Sequence, residues 1–441
     1  MIIGLDDTDS VNGMCTTYIG TLIVEAIKEL DSKLIREPPK LLRLNPNNPY
    51  KTRGNGAVSI RITEDATPEI LEKIRSISFD IVSTYSESGD NTNPAIVFLS
   101  DNSITEEIKL FAKRALHEML SIEEAISLLN KIEADYRFIG NGRGLIGALS
   151  SCALELDDFT YELIVYRNHL KRGKKFVSET SAMQIEKKYS PKIFSSYDFE
   201  NERMVISPHS DCPILYGLRG ESPEILLEAA STIESEKPFK RNIFITNQGT
   251  DMHLQEKSIE EVKPYSSVII KGIVSKNPYT VAGGHVFFEI SNGNKILSAA
   301  YEPTKGFRNI IRKLSKGDTV IAYGGVLDTE YGLTVNLEKI EILTLAELYT
   351  REKPICPVCN NPMKSIGKDK GYRCKKCHTK NKEVSNISVS RDDIKTGLYE
   401  VPMCAKRHLS KPLLRYGREK KYEEERFKFD YTKFDIKFEG I

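Results

Sequence analysis

The sequence has no apolar run long enough to cross a membrane, and no amino-terminal stretch with the basic flank and apolar core of a secretory leader. The expectation is a globular protein of the cytoplasm, with no membrane partner. Cysteine is sparse: of eight in 441 residues, four are scattered and four form two close pairs late in the chain. That usage excludes a disulfide framework and points to metal ligation in a reducing compartment. No Walker phosphate loop is present, because the glycine-rich stretch Lys51–Gly56 has the wrong spacing and its lysine leads into no helix. Net charge is almost absent at +1, yet it is unevenly distributed. From Arg351 to Ile441, 23 Lys and Arg face 13 Asp and Glu, whereas the first 350 residues hold 40 against 49. A basic carboxy-terminal portion behind a mildly acidic body predicts that a polyanion docks on the far end. Hydrophobic content of 40% suffices for real cores, and the length predicts about three domains.

What is present is concentrated at the start. Ile2 and Ile3 open a buried strand that runs into Asp6, Asp7 and Asp9, followed by Gly13, Cys15, Thr16, Thr17 and a helical pattern to Leu30. An Asx turn ends many strands this way, but three carboxylates at this density repel unless a cation neutralises them. Hard oxygen ligands suit Mg²⁺ held with nucleotide phosphates, and hydroxyls at a helix N-terminus suit an anion. The segment therefore predicts a phosphoryl-transfer site.

Further along, Asn45-Pro-Asn-Asn-Pro49 breaks a short strand, and Lys51, Arg53, Gly54 and Asn55 lead into the alternating strand Ala57–Ile62. Two cations and a Gly-Asn-Gly turn make a candidate phosphate cradle, although such turns are also ordinary. Helices are expected over Pro68–Ile77 and Ile104–Leu120, with a strand at Ala95–Leu99. This alternation fits an α/β region with a ferredoxin-like unit. Gly140-Asn-Gly-Arg-Gly144, containing Asn141, Gly142 and Arg143, precedes a small-residue helix and forms a second anion candidate. The basic turn His169–Lys175 reads as solvated surface. Pro208–Gly220 reads as a loop whose His209, Asp211, Cys212 and Arg219 converge on a cleft.

Past Glu260 come five strands with a helix, Phe307–Leu314, after the third, which is the order of an OB-fold barrel. Cys356-Pro-Val-Cys359 and Cys374-Lys-Lys-Cys377 are separated by 14 residues holding Gly367 and Gly371, the pattern of a zinc ribbon. Four soft ligands make a closed, structural Zn²⁺ site, with His378 a weaker competitor. Lys364, Lys368, Lys370, Arg373, Lys375 and Lys376 around it suit phosphate contacts or plain solubility. Beyond Glu383 no strong periodicity survives. There Arg407, His408, Lys411, Arg415, Arg418, Lys420 and Lys421 alternate with Tyr416, Tyr422, Phe427, Phe429, Tyr431 and Phe434. The mixture suits RNA contact or packing on the body, and Glu423-Glu-Glu argues against a pure polybasic arm.

Asp-Asp-Thr-Asp-Ser followed by Gly-Met-Cys-Thr-Thr resembles the start of the archaeal tRNA(Ile) 2-agmatinylcytidine synthetases. So do the Asn-Pro…Lys-Thr-Arg-Gly-Asn-Gly loop, Asp211–Gly220 and Thr246-Asn-Gln-Gly-Thr-Asp. The resemblance covers roughly residues 1–380. It implies an α+β multidomain chain: an ATP-dependent catalytic region with kinase-like and ferredoxin-like units (1–255), an OB fold (262–346), a zinc ribbon (352–382) and a basic aromatic segment (383–441). The implied activity joins agmatine to the 2-carbonyl carbon of the wobble cytidine in isoleucine tRNA with a CAU anticodon. It further implies that Thr16 is autophosphorylated and that Asp6, Asp7 and Asp9 hold Mg²⁺. Lys51, Arg53 and the Gly140–Gly144 loop would neutralise ATP phosphates. Asp211 is expected near agmatine or the metal, with Arg219 on the substrate side. A non-catalytic nucleic-acid-binding factor leaves the acidic cluster unexplained, and a two-metal nuclease leaves the cationic loops without a role.

Overall fold

The computed structural model describes residues 1–87, 91–351, 354–367, 370–381, 386–422 and 428–438. Its amino-terminal half is built on one nine-stranded sheet. In chain order the strands are β1 (Ile2–Asp6), β2 (Lys40–Arg43), β3 (Gly56–Arg61), β4 (Ala95–Leu99), β5 (Asp135–Phe138), β6 (Thr160–Tyr166), β7 (Ile193–Phe194), β8 (Ile214–Gly220) and β9 (Lys240–Thr246). Across the sheet they run β5-β4-β1-β3-β2-β9-β6-β8-β7. Neighbours are antiparallel except at β2 and β9, where Ile245 lies opposite Lys40 and Thr246 opposite Leu41 in parallel. That seam joins an earlier and a later half into one surface.

Seven helices cover the sheet: α1 (Thr16–Leu30), α2 (Pro68–Tyr85), α3 (Glu106–Arg114), α4 (Ile122–Lys131), α5 (Gly144–Ala153), α6 (Glu179–Tyr189) and α7 (Pro223–Ala230). The small residues of α5 have a packing reason. A side chain at Gly4 of β1 would collide with the Ala148 carbonyl, and one at Gly147 would overlap the Asp6 carboxylate. Glycine at these points lets helix and strand touch, and so fixes the depth of Asp6.

Three expectations need correction. The single helix expected over Ile104–Leu120 stops at Arg114, and a second begins at Ile122, where the Ser121 hydroxyl caps Glu124 N at 3.2 Å. The helix beginning at Pro68 continues to Tyr85, beyond Ile77. The loop expected through Gly220 ends at Pro213, and Ile214–Gly220 is an interior strand of the sheet. Its glycines and arginine disguise the period, and a Cβ at Gly217 would sit tightly, 3.0 Å from Glu162 Oε1.

The five expected barrel strands are β10 (Ser267–Thr280), β11 (Val286–Asn292), β12 (Asn294–Ala300), β13 (Thr319–Thr329) and β14 (Gly332–Thr344), with α8 (Phe307–Arg312) between β12 and β13. β12 pairs β14 in parallel, and β10 pairs β13 to close the barrel. The Asn-Pro-Asn loop docks the sheet on this barrel, with Asn47 Nδ2 donating to Ser266 O and Ser267 Oγ, each at 2.9 Å. The ribbon strands Met363–Ser365, Tyr372–Cys374 and Lys380–Asn381 follow.

The carboxy-terminal segment packs on the body. Gly397–Glu400 pairs with β14, and Tyr422, Tyr431, Phe434 and Ile436 enter the core of the nine-stranded sheet. Arg415 is fully buried, with Nε 2.8 Å from Glu221 and Nη2 2.8 Å from Asp158. Lys411 pairs with Glu419 and Lys420 with Glu221, so of the two readings of this tail, RNA contact or packing on the body, several of its cations follow the second. Phe427, Glu423–Glu425 and Lys368 lie outside the described residues.

Candidate active site

The carboxylate cluster opens into a cavity of about 740 Å³ lying across the seam between the two halves of the sheet. β1 ends at Asp6, and the chain turns at once: Asp7 adopts φ 55° and Met14 φ 55° before α1 begins. Left-handed backbone is tolerable for Asp but strained for Met, and strain of this kind gathers at functional turns. Burial, and after it the charge of Asp7, pushes the Asp6 carboxyl up to about 8. Burial also raises Asp7, opposed by the Arg143 guanidinium 3.5 Å away. Without a cation this pocket therefore favours a protonated Asp6, which is the situation a divalent ion relieves. Thr16, buried at the first turn of α1, accepts a hydrogen bond from Thr8 Oγ1 at 3.1 Å and lines the same cavity.

Arg53 is engaged rather than free. Its Nε and Nη2 donate to Asp9 Oδ2 at 2.9 and 2.6 Å, and Nη2 also reaches Met14 O at 2.5 Å, so it holds the strand-exit loop in shape. Lys51 lines the cavity and donates to Pro46 O. Gly54 and Asn55 line it too, with Asn55 at φ 45° and its Nδ2 donating to Asn45 O at 2.8 Å. Asn141 and Arg143 line it from the other loop, where Arg143 N donates to Asn141 Oδ1 at 2.9 Å and the guanidinium lies over the Tyr50 ring. Gly142 is a turn residue at φ 84° outside the lining.

The substrate-side residues divide. Arg219 lines the cavity, its Nε 3.2 Å from Glu162. Asp211 is exposed and outside the lining, and His209 faces a smaller neighbouring cavity. Cys212 does line the main cavity, where its Sγ accepts from Lys175 Nζ at 3.5 Å; the rest of the basic turn, 170–174, is exposed as expected. Sequence reasoning missed Arg43, Glu162 and Tyr50, and read His408 only as a tail cation. Glu162 left a signal, a carboxylate inside the otherwise apolar Tyr161–Tyr166 and only 4% exposed. Arg43 and His408 left none.

In the ribbon, the four Sγ atoms of Cys356, Cys359, Cys374 and Cys377 lie within 4.8 Å of one another. The donor set and spacing fit tetrahedral zinc, with His378 outside the group. No helix among the described residues is long and apolar enough to cross a membrane.

The sequence profile of the TiaS TCKD domain matches residues 2–140, and that of the TiaS FLD domain matches 142–253. An OB-fold nucleic acid binding domain matches 268–343, and the TiaS C-terminal zinc ribbon domain matches 353–392. The chain belongs to the TiaS family. It is 43% identical over 421 residues to the tRNA(Ile2) 2-agmatinylcytidine synthetase TiaS of Methanocaldococcus jannaschii, covering 94% of this chain and 98% of that protein. The TiaS of Archaeoglobus fulgidus is 42% identical, over 94% of this chain and 97% of its own. Among solved structures, a TiaS–tRNA(Ile2)–ATP complex matches with a TM-score of 0.85 at 40% identity, covering 94% of this chain and 97% of the other. A TiaS–tRNA(Ile2)–AMPCPP–agmatine complex matches with 0.83 at 38%, with the same coverage. The TCKD and FLD matches meet at residues 140–142, in the loop ahead of α5, so the sheet of this chain spans two profiles.

Proposed function

We propose that this chain is an ATP-dependent tRNA(Ile2) 2-agmatinylcytidine synthetase, converting the wobble cytidine of a CAU anticodon to agmatidine in the cytoplasm. The observation that carries the reading is one cavity lined by Asp6, Asp7, Asp9 and Thr16 together with Lys51, Arg53 and Arg143, in a chain of this family. Residues 1–255 carry the chemistry, 262–346 and 352–382 grip the tRNA, and 383–441 tie the parts together.

A cytosine 2-carbonyl resists amines because its oxygen is a poor leaving group. Transfer of a phosphoryl group from ATP to that oxygen changes this. The agmatine amine then adds its lone pair at C2, the C2–O bond breaks, phosphate leaves with the oxygen, and the nitrogen loses a proton. The acidic cluster suits Mg²⁺ because its buried carboxyls are poorly neutralised by protein alone; such an ion, when bound, screens phosphate charge. Asp6, Asp7 and Asp9 would hold it. Lys51 and Arg143 would neutralise phosphate oxygens, while Arg53 keeps Asp9 and the Met14 carbonyl in position. Ahead of α5 the N–H groups of Asn141, Arg143 and Gly144 already donate to Asn93 and Asn141, so that loop would act on phosphate through the Arg143 side chain. Thr16, at the α1 N-terminus beside the carboxylates, is the hydroxyl best set to accept a phosphoryl group from ATP. Asp211, exposed beyond the cavity rim, would contact substrate only from outside.

Incubation with γ-labelled ATP followed by peptide mapping tests the covalent step. Label on Thr16 that disappears in Thr16→Ala, along with agmatine incorporation, is the expected result. Full incorporation by the alanine variant would remove the phosphothreonine while leaving base activation standing.

A further inference from the structure

Besides the acidic cluster, the main cavity has a second polar wall made by Arg43, Arg219, Lys51 and Glu162. His408 completes it, and is the one residue that the chain beyond the nine-stranded sheet contributes to this cavity among the described residues. Its position is fixed from several sides. His408 O accepts from Gly249 N at 2.8 Å, Leu409 O accepts from Asp251 N at 2.8 Å, and Arg407 bonds Asn47. The ring is fixed as well, since Arg219 Nη2 lies 3.0 Å from His408 Nδ1. A guanidinium can only donate, so Nδ1 accepts and the ring proton sits on Nε2. That N–H has no protein partner among the described residues, and the ring edge beside it, Cδ2, would lie 3.3 Å from a Cβ built at Gly54. Burial, then Arg43, Arg219 and Lys51, hold the imidazole well below its ordinary value and therefore neutral.

Nothing in the activation step described above uses this donor. Arg43, Arg219 and Lys51 all act on the ring, with Glu162 paired to Arg219 beside them, and this cationic surround suits an anionic oxygen better than agmatine's guanidinium. We infer that His408 is a substrate-binding residue supplied by the carboxy-terminal segment, donating its Nε2–H to a phosphate oxygen brought into the cavity. The inference rests on the proposed reaction for its substrates. The phosphate belongs either to ATP or to the tRNA strand, and kinetics separate the two.

The test compares His408→Leu and His408→Gln in the full chain, with steady-state agmatine incorporation into a CAU-anticodon isoleucine tRNA transcript. Glutamine offers an N–H near the Nε2 position, and leucine fills similar space without one. A hydrogen bond to a charged acceptor predicts a ten- to hundredfold loss of kcat/KM in the leucine variant and substantial recovery in the glutamine variant. A rise confined to the KM for ATP assigns the phosphate to the nucleotide; a rise confined to the KM for tRNA assigns it to the nucleic acid. Nitrogen-15 histidine spectra of the wild-type protein should show His408 as the neutral Nε2–H tautomer, with Nε2 shifting when the chosen phosphate ligand is added. Wild-type kinetics in the leucine variant, equal loss in both variants, or an Nδ1–H tautomer would each overturn the inference. Absence of agmatine incorporation by the wild-type protein would instead defeat the proposed function, and the tautomer and ATP-titration spectra would still test the donor.

Discussion

Arg415→Met should loosen the strap that carries His408. The guanidinium is wholly buried and makes a fork on Asp158, a bond to Glu221 at 2.8 Å, and bonds to Gly249 O and Phe159 O at 3.1 and 2.9 Å. Removing one partner of a buried charge pair costs about 3–5 kcal/mol, because the remaining carboxylates lose their neutralisation. Here Lys411 Nζ stands 3.8 Å from Asp158 and Lys420 Nζ 3.0 Å from Glu221, so part of the charge stays screened and the expected cost is at the lower end, about 3 kcal/mol. Such a loss should speed amide exchange about a hundredfold at 158–160 and 409–417 relative to the barrel. Arg415→Lys should fall between, keeping charge but losing the fork. Asp158→Asn added to Arg415→Met should restore part of the loss, since it removes the stranded charge. A change below about fivefold in Arg415→Met would refute the assignment of this ion cluster as what secures the segment.

Other outcomes follow from the same geometry. Asp6→Asn keeps the shape beneath α5 but removes a carboxyl that a bound Mg²⁺ would ionise; incorporation should fall at least about a hundredfold while the fold, read by circular dichroism, is kept. Cys374→Ser should release the bound zinc and weaken tRNA affinity, with ATP binding unchanged because the main cavity lies in the nine-stranded sheet; lost ATP binding would contradict this. His117 is buried, with Nδ1 3.0 Å from His253 O, and burial lowers it to about 4. Between pH 6.5 and 4 the unfolded chain therefore binds a proton that the folded chain refuses, and stability falls as pH drops, by up to about 3 kcal/mol. Urea titrations at pH 7 and 5 should show that fall, and His117→Asn should flatten it.

The parts readable from sequence were those whose signal is local. The five barrel strands and the paired cysteines carry their period or spacing within a few residues. Asp6, Asp7, Asp9 and Thr16 are neighbours in sequence as well as in space. The small-residue run Leu145–Cys152 read as a helix, although only the structure shows that Gly147 makes room for Asp6. What escaped was assembled over long separations. His408 meets Arg219 across 189 positions, and Arg415 meets Asp158 across 257. In one dimension the tail's cations suit RNA contact or packing on the body equally, because the carboxylates that decide between them lie in the body. Arg53 looked like a phosphate ligand for the same reason, since its bond to Asp9 depends on how β3 lies beside β1. The strand Ile214–Gly220 was hidden by its glycines, one of which, Gly217, packs close to Glu162.

The most direct test of the central claim is mass spectrometry of an isoleucine tRNA transcript with a CAU anticodon, incubated with the protein, ATP, Mg²⁺ and agmatine. The expected product carries the mass of agmatine less one water on the wobble cytidine, and forms only when both ATP and agmatine are present. Tightly bound but unmodified tRNA, or tRNA cleaved without ATP, would contradict the synthetase reading.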